Sequence, residues 1–268
     1  MKKAISAFVC LSMLFVSCNV NKAKIDDKLQ KYFEAYGVEG CFAFLNNADG
    51  KITVYDLSLD TQRFAPASTF KVISSLIGLE TGVITDEKML IRWDGVRRNK
   101  DWDRNMNMKD AFKVNNVPYF QEVVRRIGAD TMQHWLDTLG YGTKLIYGPL
   151  DSFWMNNSLK ISPDEQLGLM KRLYFDQLPF RKGVQESVRN LMLQEDNTAY
   201  KLSYKNGFTS DEKGNRVGWL CGWIEENKHV YFFVTLIRSR NEALDFKTIP
   251  QSVTRDILKE YGFFEGKM

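Results

Sequence analysis

The chain has 268 residues, 44% of them hydrophobic and 13% aromatic, enough to bury a large core in one domain or two closely packed lobes, and disorder is excluded. Its 37 basic and 33 acidic residues leave a formal charge of +4, which falls to +2 once Lys2 and Lys3 are set aside, so the footprint of a nucleic-acid binder is absent. With only two histidines, His134 and His229, a multi-histidine metal site is excluded, and any nucleophile needs a base other than histidine because no G-x-S-x-G elbow occurs near either one.

At the start, Lys2 and Lys3, the apolar run 4–16 and Ser17 before Cys18 have the charged start, hydrophobic stretch and small-residue exit of a secretory signal. The run is too short to span a bilayer comfortably. Phe15-Val16-Ser17-Cys18 resembles a bacterial lipobox, so the expectation is an exported protein, periplasmic or lipid-anchored through Cys18, with residues 1–18 as leader and 19–268 as the functional domain. Cys10 and Cys18 belong to that leader, which leaves Cys41 and Cys221 in apolar runs, read as buried thiols.

Residues 41–45 and 51–57 are β-prone and flank Asn46-Asn47-Ala48-Asp49-Gly50, the signature of a hairpin. Next, Pro66-Ala67-Ser68-Thr69-Phe70-Lys71 leads into an apolar stretch ended by Thr81-Gly82, which predicts a buried helix. A serine in its first turn meets free backbone N–H groups and the positive end of the helix dipole. Lys71, three residues on, leaves the same face. Burial disfavours its charged form and makes a neutral amine available to activate Ser68. An isolated pair of this kind is more often a helix cap and a snorkelling lysine.

The period then changes to 3.6. Pro118 with Phe120, Val123, Val124 and Ile127 predicts a helix stopped by Gly128, and Met132, Trp135, Leu136 and Leu139 predict another stopped by Gly140. Ser162-Pro163-Asp164-Glu165 is a capping box that opens a helix carrying Leu167, Met170 and Leu173. Strands return at 200–208, 217–225 and 229–238, and a last helix spans 250–261. Asp101, Asp103, Asn105 and Asn107 begin like a calcium loop, but Met106 and Phe112 stand where glycine and glutamate are required, so this is read as a polar surface loop. The pairs Arg97-Arg98 and Arg125-Arg126 are read as solvated faces. Neither end has strands enough for a sheet alone, so the expected fold is α+β: one antiparallel sheet of five or more strands from both chain ends, packed with helices, plus a helical lobe from the middle.

Taken with Gly78-Leu79-Glu80-Thr81-Gly82, Trp93-Asp94-Gly95, Tyr141-Gly142, Phe153-Trp154 and Gly222-Trp223-Ile224-Glu225, the serine segment resembles the class D, or oxacillinase-type, serine β-lactamases over nearly the whole exported part. The resemblance implies that Ser68 attacks a β-lactam carbonyl and that Lys71, carboxylated by carbon dioxide, is the general base, with Trp154 hydrogen-bonding the carbamate and Val117 walling the pocket. It places Lys205 and Gly207 on the strand that receives the substrate and makes an oxyanion hole of the N–H groups of Ser68 and Phe208. No metal or other cofactor is implied. The chain departs from the family pattern at Asn115, where a serine hydroxyl relays a proton, at Asn206, at Thr143, and at Phe246, where a carboxylate-binding arginine belongs, with Lys247, Arg238 and Arg240 as substitutes. The implied activity is therefore β-lactam hydrolysis of weak or unusual scope. The alternatives are a module that acylates without turnover and an acyl transferase acting on cell-wall peptides.

Overall fold

The computed structural model describes residues 23–267, so the segment 1–18 expected to be a leader, with Cys10 and Cys18, lies outside the described residues. In chain order the elements are β1 (Lys24–Ile25), α1 (Gln30–Glu34), β2 (Glu39–Asn46), β3 (Ile52–Tyr55), α2 (Leu57–Thr61), α3 (Lys71–Glu80), α4 (Met108–Lys113), α5 (Val117–Ile127), α6 (Ala129–Leu139), α7 (Pro163–Tyr174), α8 (Lys182–Met192), β4 (Leu193–Asp196), β5 (Tyr200–Ser210), β6 (Arg216–Glu226), β7 (His229–Ser239) and α9 (Ile249–Glu260).

One sheet in the order β1-β3-β2-β7-β6-β5-β4 joins the two ends of the chain, through a β2–β7 ladder that runs from Glu39 opposite Arg238 to Asn46 opposite Tyr231. Every pairing is antiparallel except β1 with β3. Side chains alternate across it. On one face Phe42, Phe44, Leu220, Ile224 and Phe233 pack with Phe33 of α1 and Val253, Ile257 and Leu258 of α9. On the other, Cys41, Ala43, Trp219, Cys221 and Trp223 meet the helical lobe, centred on α3, of which every residue but Glu80 is buried. Cys41 and Cys221 are both buried free thiols, as expected.

The local signals hold where they are strong. Asn116 caps α5 by accepting from Tyr119 N at 2.9 Å, with Pro118 in the first turn. Gly140 ends α6 in the left-handed region, and the Ser162–Glu165 capping box opens α7. Between β6 and β7, Asn227 and Lys228 both take positive φ, the geometry of a two-residue hairpin turn. Four helices and two strands went unforeseen. Three of those helices, α1, α2 and α4, have five or six residues, too few for a period to show. The fourth, α8, carries Val184, Val188, Leu191 and Met192 at helical spacing, a signal the sequence did contain. Strand β4 has no alternation and exists by pairing with β5. In the acidic loop, Asp103 accepts from the N–H groups of Arg98 and Asn99, and Asn107 caps α4, so these oxygens close turns and a helix end.

Asp60, at the end of α2, is 3% exposed, and its Oδ1 has no hydrogen-bond partner among the described residues. Burial, reinforced by Asp164 and Asp56, raises its carboxyl to about 7. A carboxyl that holds its proton longer in the folded state weakens the fold as pH rises from about 4 to about 7, by at most about 1.4 kcal/mol per pH unit, and the loss is complete above that. Asp60→Asn should therefore be more stable than wild type at pH 8 and close to it at pH 4. Urea unfolding at both values checks this, and equal midpoints at pH 8 would refute it.

Candidate active site

Ser68 sits in a single 3-10 turn, Ala67–Phe70, that runs directly into α3, one step tighter than the α-helical first turn expected from sequence. The tightening comes from Thr69, whose hydroxyl donates back to Pro66 O at 2.7 Å. In such a turn positions three apart eclipse, which puts Ser68 and Lys71 on one side. Just before the serine, Ala67 takes φ +50, rare for a residue with a Cβ. Several elements hold it there. Ala67 N donates to Trp154 O at 3.0 Å, Trp219 Nε1 donates to Ala65 O at 2.9 Å, and the buried Gln166 of α7 donates to Thr69 Oγ1 at 2.8 Å.

Lys71 is 1% exposed, and its amine donates to the carbonyl oxygen of Asn115 at 2.7 Å and to Asn115 Oδ1 at 2.6 Å. The Phe120 ring lies 5.3 Å away. Burial, with Lys205 as a second positive charge, holds this amine well below the ordinary lysine range. Asn115 lies between α4 and α5 with φ +56, a conformation asparagine accepts more readily than most residues. Asn115 thus clamps the Lys71 amine with two oxygens.

Strand β5 forms the opposite wall. Its pairing with β4 ends at Ser203, so the outer edge of 204–210 faces the serine turn. A Cβ on Gly207 would lie 2.6 Å from Ser68 N and 3.0 Å from Thr69 N, so only glycine lets the strand come this close. Lys205 is 4% exposed, with its amine 5.0 Å from the Phe112 ring, and burial lowers it to about 8. Asn206 Nδ2 reaches Lys247 O at 3.4 Å.

A cleft of 560 Å³ opens here, lined by Ser68, Asn115, Val117, Lys205, Asn206 and Phe208, all six expected from sequence. Lys71 and Trp154 lie behind the lining, and Trp154 is buried with its ring stacked on Phe70 at 5.5 Å. Trp102, Met155 and Gln251 also line the cleft and were missed, since each stands in a segment whose local pattern gives no reason to bring it here. Of the substitutes for the missing arginine, Lys247 is the one in the cleft. Arg238 pairs with Glu39 at 2.7 Å, Arg240 reaches Asn215, and both line a different depression. Phe246 is core, under the guanidinium of Arg216.

Known proteins share this arrangement. The family model described as the penicillin-binding protein transpeptidase domain matches residues 23–259. The Bacillus subtilis protein named "Probable beta-lactamase YbxI" is 36% identical over 245 residues, 91% of this chain and 86% of that protein. Among solved structures, the class D β-lactamase FUS-1 of Fusobacterium nucleatum superposes with a TM-score of 0.84 at 30% identity, covering 90% of this chain and all of that one. The C-terminal domain of the Bacillus licheniformis BlaR penicillin receptor gives 0.85 at 29% identity, covering 90% and 97%. A serine turn pressed against a glycine strand, with a buried lysine behind it, is thus set in a shared fold that spans almost the whole chain, which belongs to the penicillin-binding transpeptidase-domain family and, within it, to the class D serine β-lactamases.

Proposed function

We propose that this chain opens β-lactam rings through an acyl-enzyme on Ser68. The observation that carries the reading is the buried amine of Lys71, its charged form disfavoured by desolvation, three residues from the serine. In the first step Ser68 Oγ attacks the carbonyl carbon as its proton passes to Lys71. The oxyanion gathers at the N–H groups of Ser68 and Phe208, the ring C–N bond breaks, and the nitrogen takes the proton that Lys71 received. In the second, a water gives a proton to the base on Lys71 as its oxygen attacks the ester carbon, the bond from that carbon to Ser68 Oγ breaks, and the proton passes to Oγ, which frees Ser68. A neutral amine is also what carbon dioxide needs to form a carbamate on Lys71, which would then serve as the base for both steps. Turnover of nitrocefin with added bicarbonate tests the reading, and none at high enzyme concentration would overturn it.

Asn115 supports a second reading. An amide accepts hydrogen bonds but relays protons poorly, so an acyl-enzyme could form and stall, a behaviour suited to a penicillin receptor such as the one this fold resembles. A persistent adduct on Ser68 by intact-mass spectrometry favours that reading over hydrolysis.

Lys247 is the cation for the substrate carboxylate. Lys247→Ala should raise KM for nitrocefin by about tenfold or more, the weight of one charged hydrogen bond, with little change in kcat. An unchanged KM would remove the assignment. We further infer export, with residues 1–18 as the leader, 19–268 as the functional domain and lipid on Cys18. Metabolic labelling with a clickable fatty acid, lost in Cys18→Ala, tests the anchor.

A further inference from the structure

Behind the reaction cleft lies a second cavity, of 370 Å³, between the segment 89–106 and the start of α5. The two share one lining residue, Trp102, and the chain between α4 and α5 alternates between them: Asn115 and Val117 face the cleft, Asn116 and Pro118 the cavity. Four arginines, Arg92, Arg104, Arg125 and Arg126, line it against two carboxylates, Asp94 and Glu122. Both carboxylates are engaged already, Asp94 by Arg98 at 2.7 Å and Glu122 by Arg125 and Arg126 at 3.1 and 2.9 Å. The guanidiniums of Arg92 and Arg104 make no ion pair or hydrogen bond among the described residues, although Arg104 N donates to Trp102 O at 2.8 Å. The wall therefore carries excess positive charge.

Its other surfaces are aromatic and polar. Trp93 and Trp102 donate their indole N–H groups to Val96 O at 3.0 Å and Val114 O at 3.1 Å, so what they present to the cavity is apolar ring. Tyr119 is 4% exposed, and its hydroxyl has no hydrogen-bond partner among the described residues. Burial keeps the proton on this phenol, against the weaker opposing effect of the Arg126 charge. A buried donor without an acceptor costs free energy until one arrives. Beside it Asn116, 3% exposed, finds for its Nδ2 only Trp102 O and Met106 Sδ, both at 3.4 Å.

Unpaired guanidiniums, indole rings and an unanswered phenol all call for an acceptor of negative charge on a flat apolar body. We propose that this cavity binds a small aromatic carboxylate, at a site distinct from the reaction cleft.

Benzoate is the probe, followed through the indole N–H signals of the labelled protein, with Trp93→Phe and Trp102→Phe to assign them. Benzoate should shift those two signals with Kd on the order of 1 mM. Arg92→Ala with Arg104→Ala should weaken it by about tenfold or more, Tyr119→Phe by a smaller factor, and Lys247→Ala not at all. Benzyl alcohol should bind far more weakly. The proposal fails if neither signal moves, if the double arginine variant or benzyl alcohol matches the wild-type affinity for benzoate, or if Lys247→Ala abolishes the shifts, which would place benzoate in the reaction cleft. None of these readings depends on β-lactam turnover, so they stand apart from the test of that activity.

Discussion

Lys71→Ala is expected to slow acylation of Ser68 by about 10²–10⁴, the weight of a positioned general base, and to abolish any response to bicarbonate. The loss has two sources. The base itself goes, and Asn115 O and Oδ1 lose the donor that holds them, so the wall under Val117 loosens as well. Lys71→Arg separates the two, because a guanidinium can still donate to both oxygens but does not give up its proton near neutrality. If Lys71 acts only as a strut, Arg restores the rate. If it acts as the base, Arg is as slow as Ala. The pH profile gives an independent reading. The ammonium form can neither accept a proton nor take up carbon dioxide, so acylation should fall as pH drops through the Lys71 pKa, and burial with Lys205 nearby places that limb far below the ordinary lysine range. A limb near the value of a free lysine would remove Lys71 as the base. Timed intact-mass measurements of the adduct across pH provide both results.

Gly207→Ala should cost about 10²–10³ in acylation while leaving the sheet formed. A methyl at 207 meets main-chain nitrogens of Ser68 and Thr69, not the end of a flexible side chain, so either β5 or the serine turn must give way. The turn is held by Trp154 O and Gln166, so the strand is the part that moves, and with it Phe208 N–H as an oxyanion donor. The ladder from β5 to β6 runs over the whole strand and survives a shift at one edge. Gly168→Ala is the matched control. It lies inside α7 with open space around it, so alanine should stabilise the protein by about 0.5–1 kcal/mol without touching the rate. Loss of activity in both variants, or in neither, would contradict the role assigned to Gly207.

The extent to which the site was legible follows from how local each part is. Ser68 and Lys71 lie three residues apart in one apolar segment, so their pairing and burial could be read before any fold was known. The same holds for Pro118 at the start of α5 and the Ser162 capping box, where neighbouring residues fix a helix end. Lys247 was one of three basic residues with equal claims, and choosing it took the path of the chain between β7 and α9, which leaves Arg238 with Glu39 and puts Lys247 beside Phe208 at 6.0 Å from its ring. Trp102 and Met155 had no local sign at all, because nothing in their own segments tells that those segments reach the mouth of the cleft.

By itself the sequence determined the α+β class, the meeting of both chain ends in one sheet, and the pairing of Ser68 with a buried Lys71, since period, caps and short-range spacing act within a few residues along the chain. Tertiary structure alone decided that Asn115 holds the amine with two oxygens, that β5 comes within contact of the serine N–H, and that Lys247, not Arg238 or Arg240, lines the cleft. Those depend on distances between segments 40 to 180 residues apart, set by how the lobe packs on the sheet, and close packing of that kind leaves no trace in a local pattern.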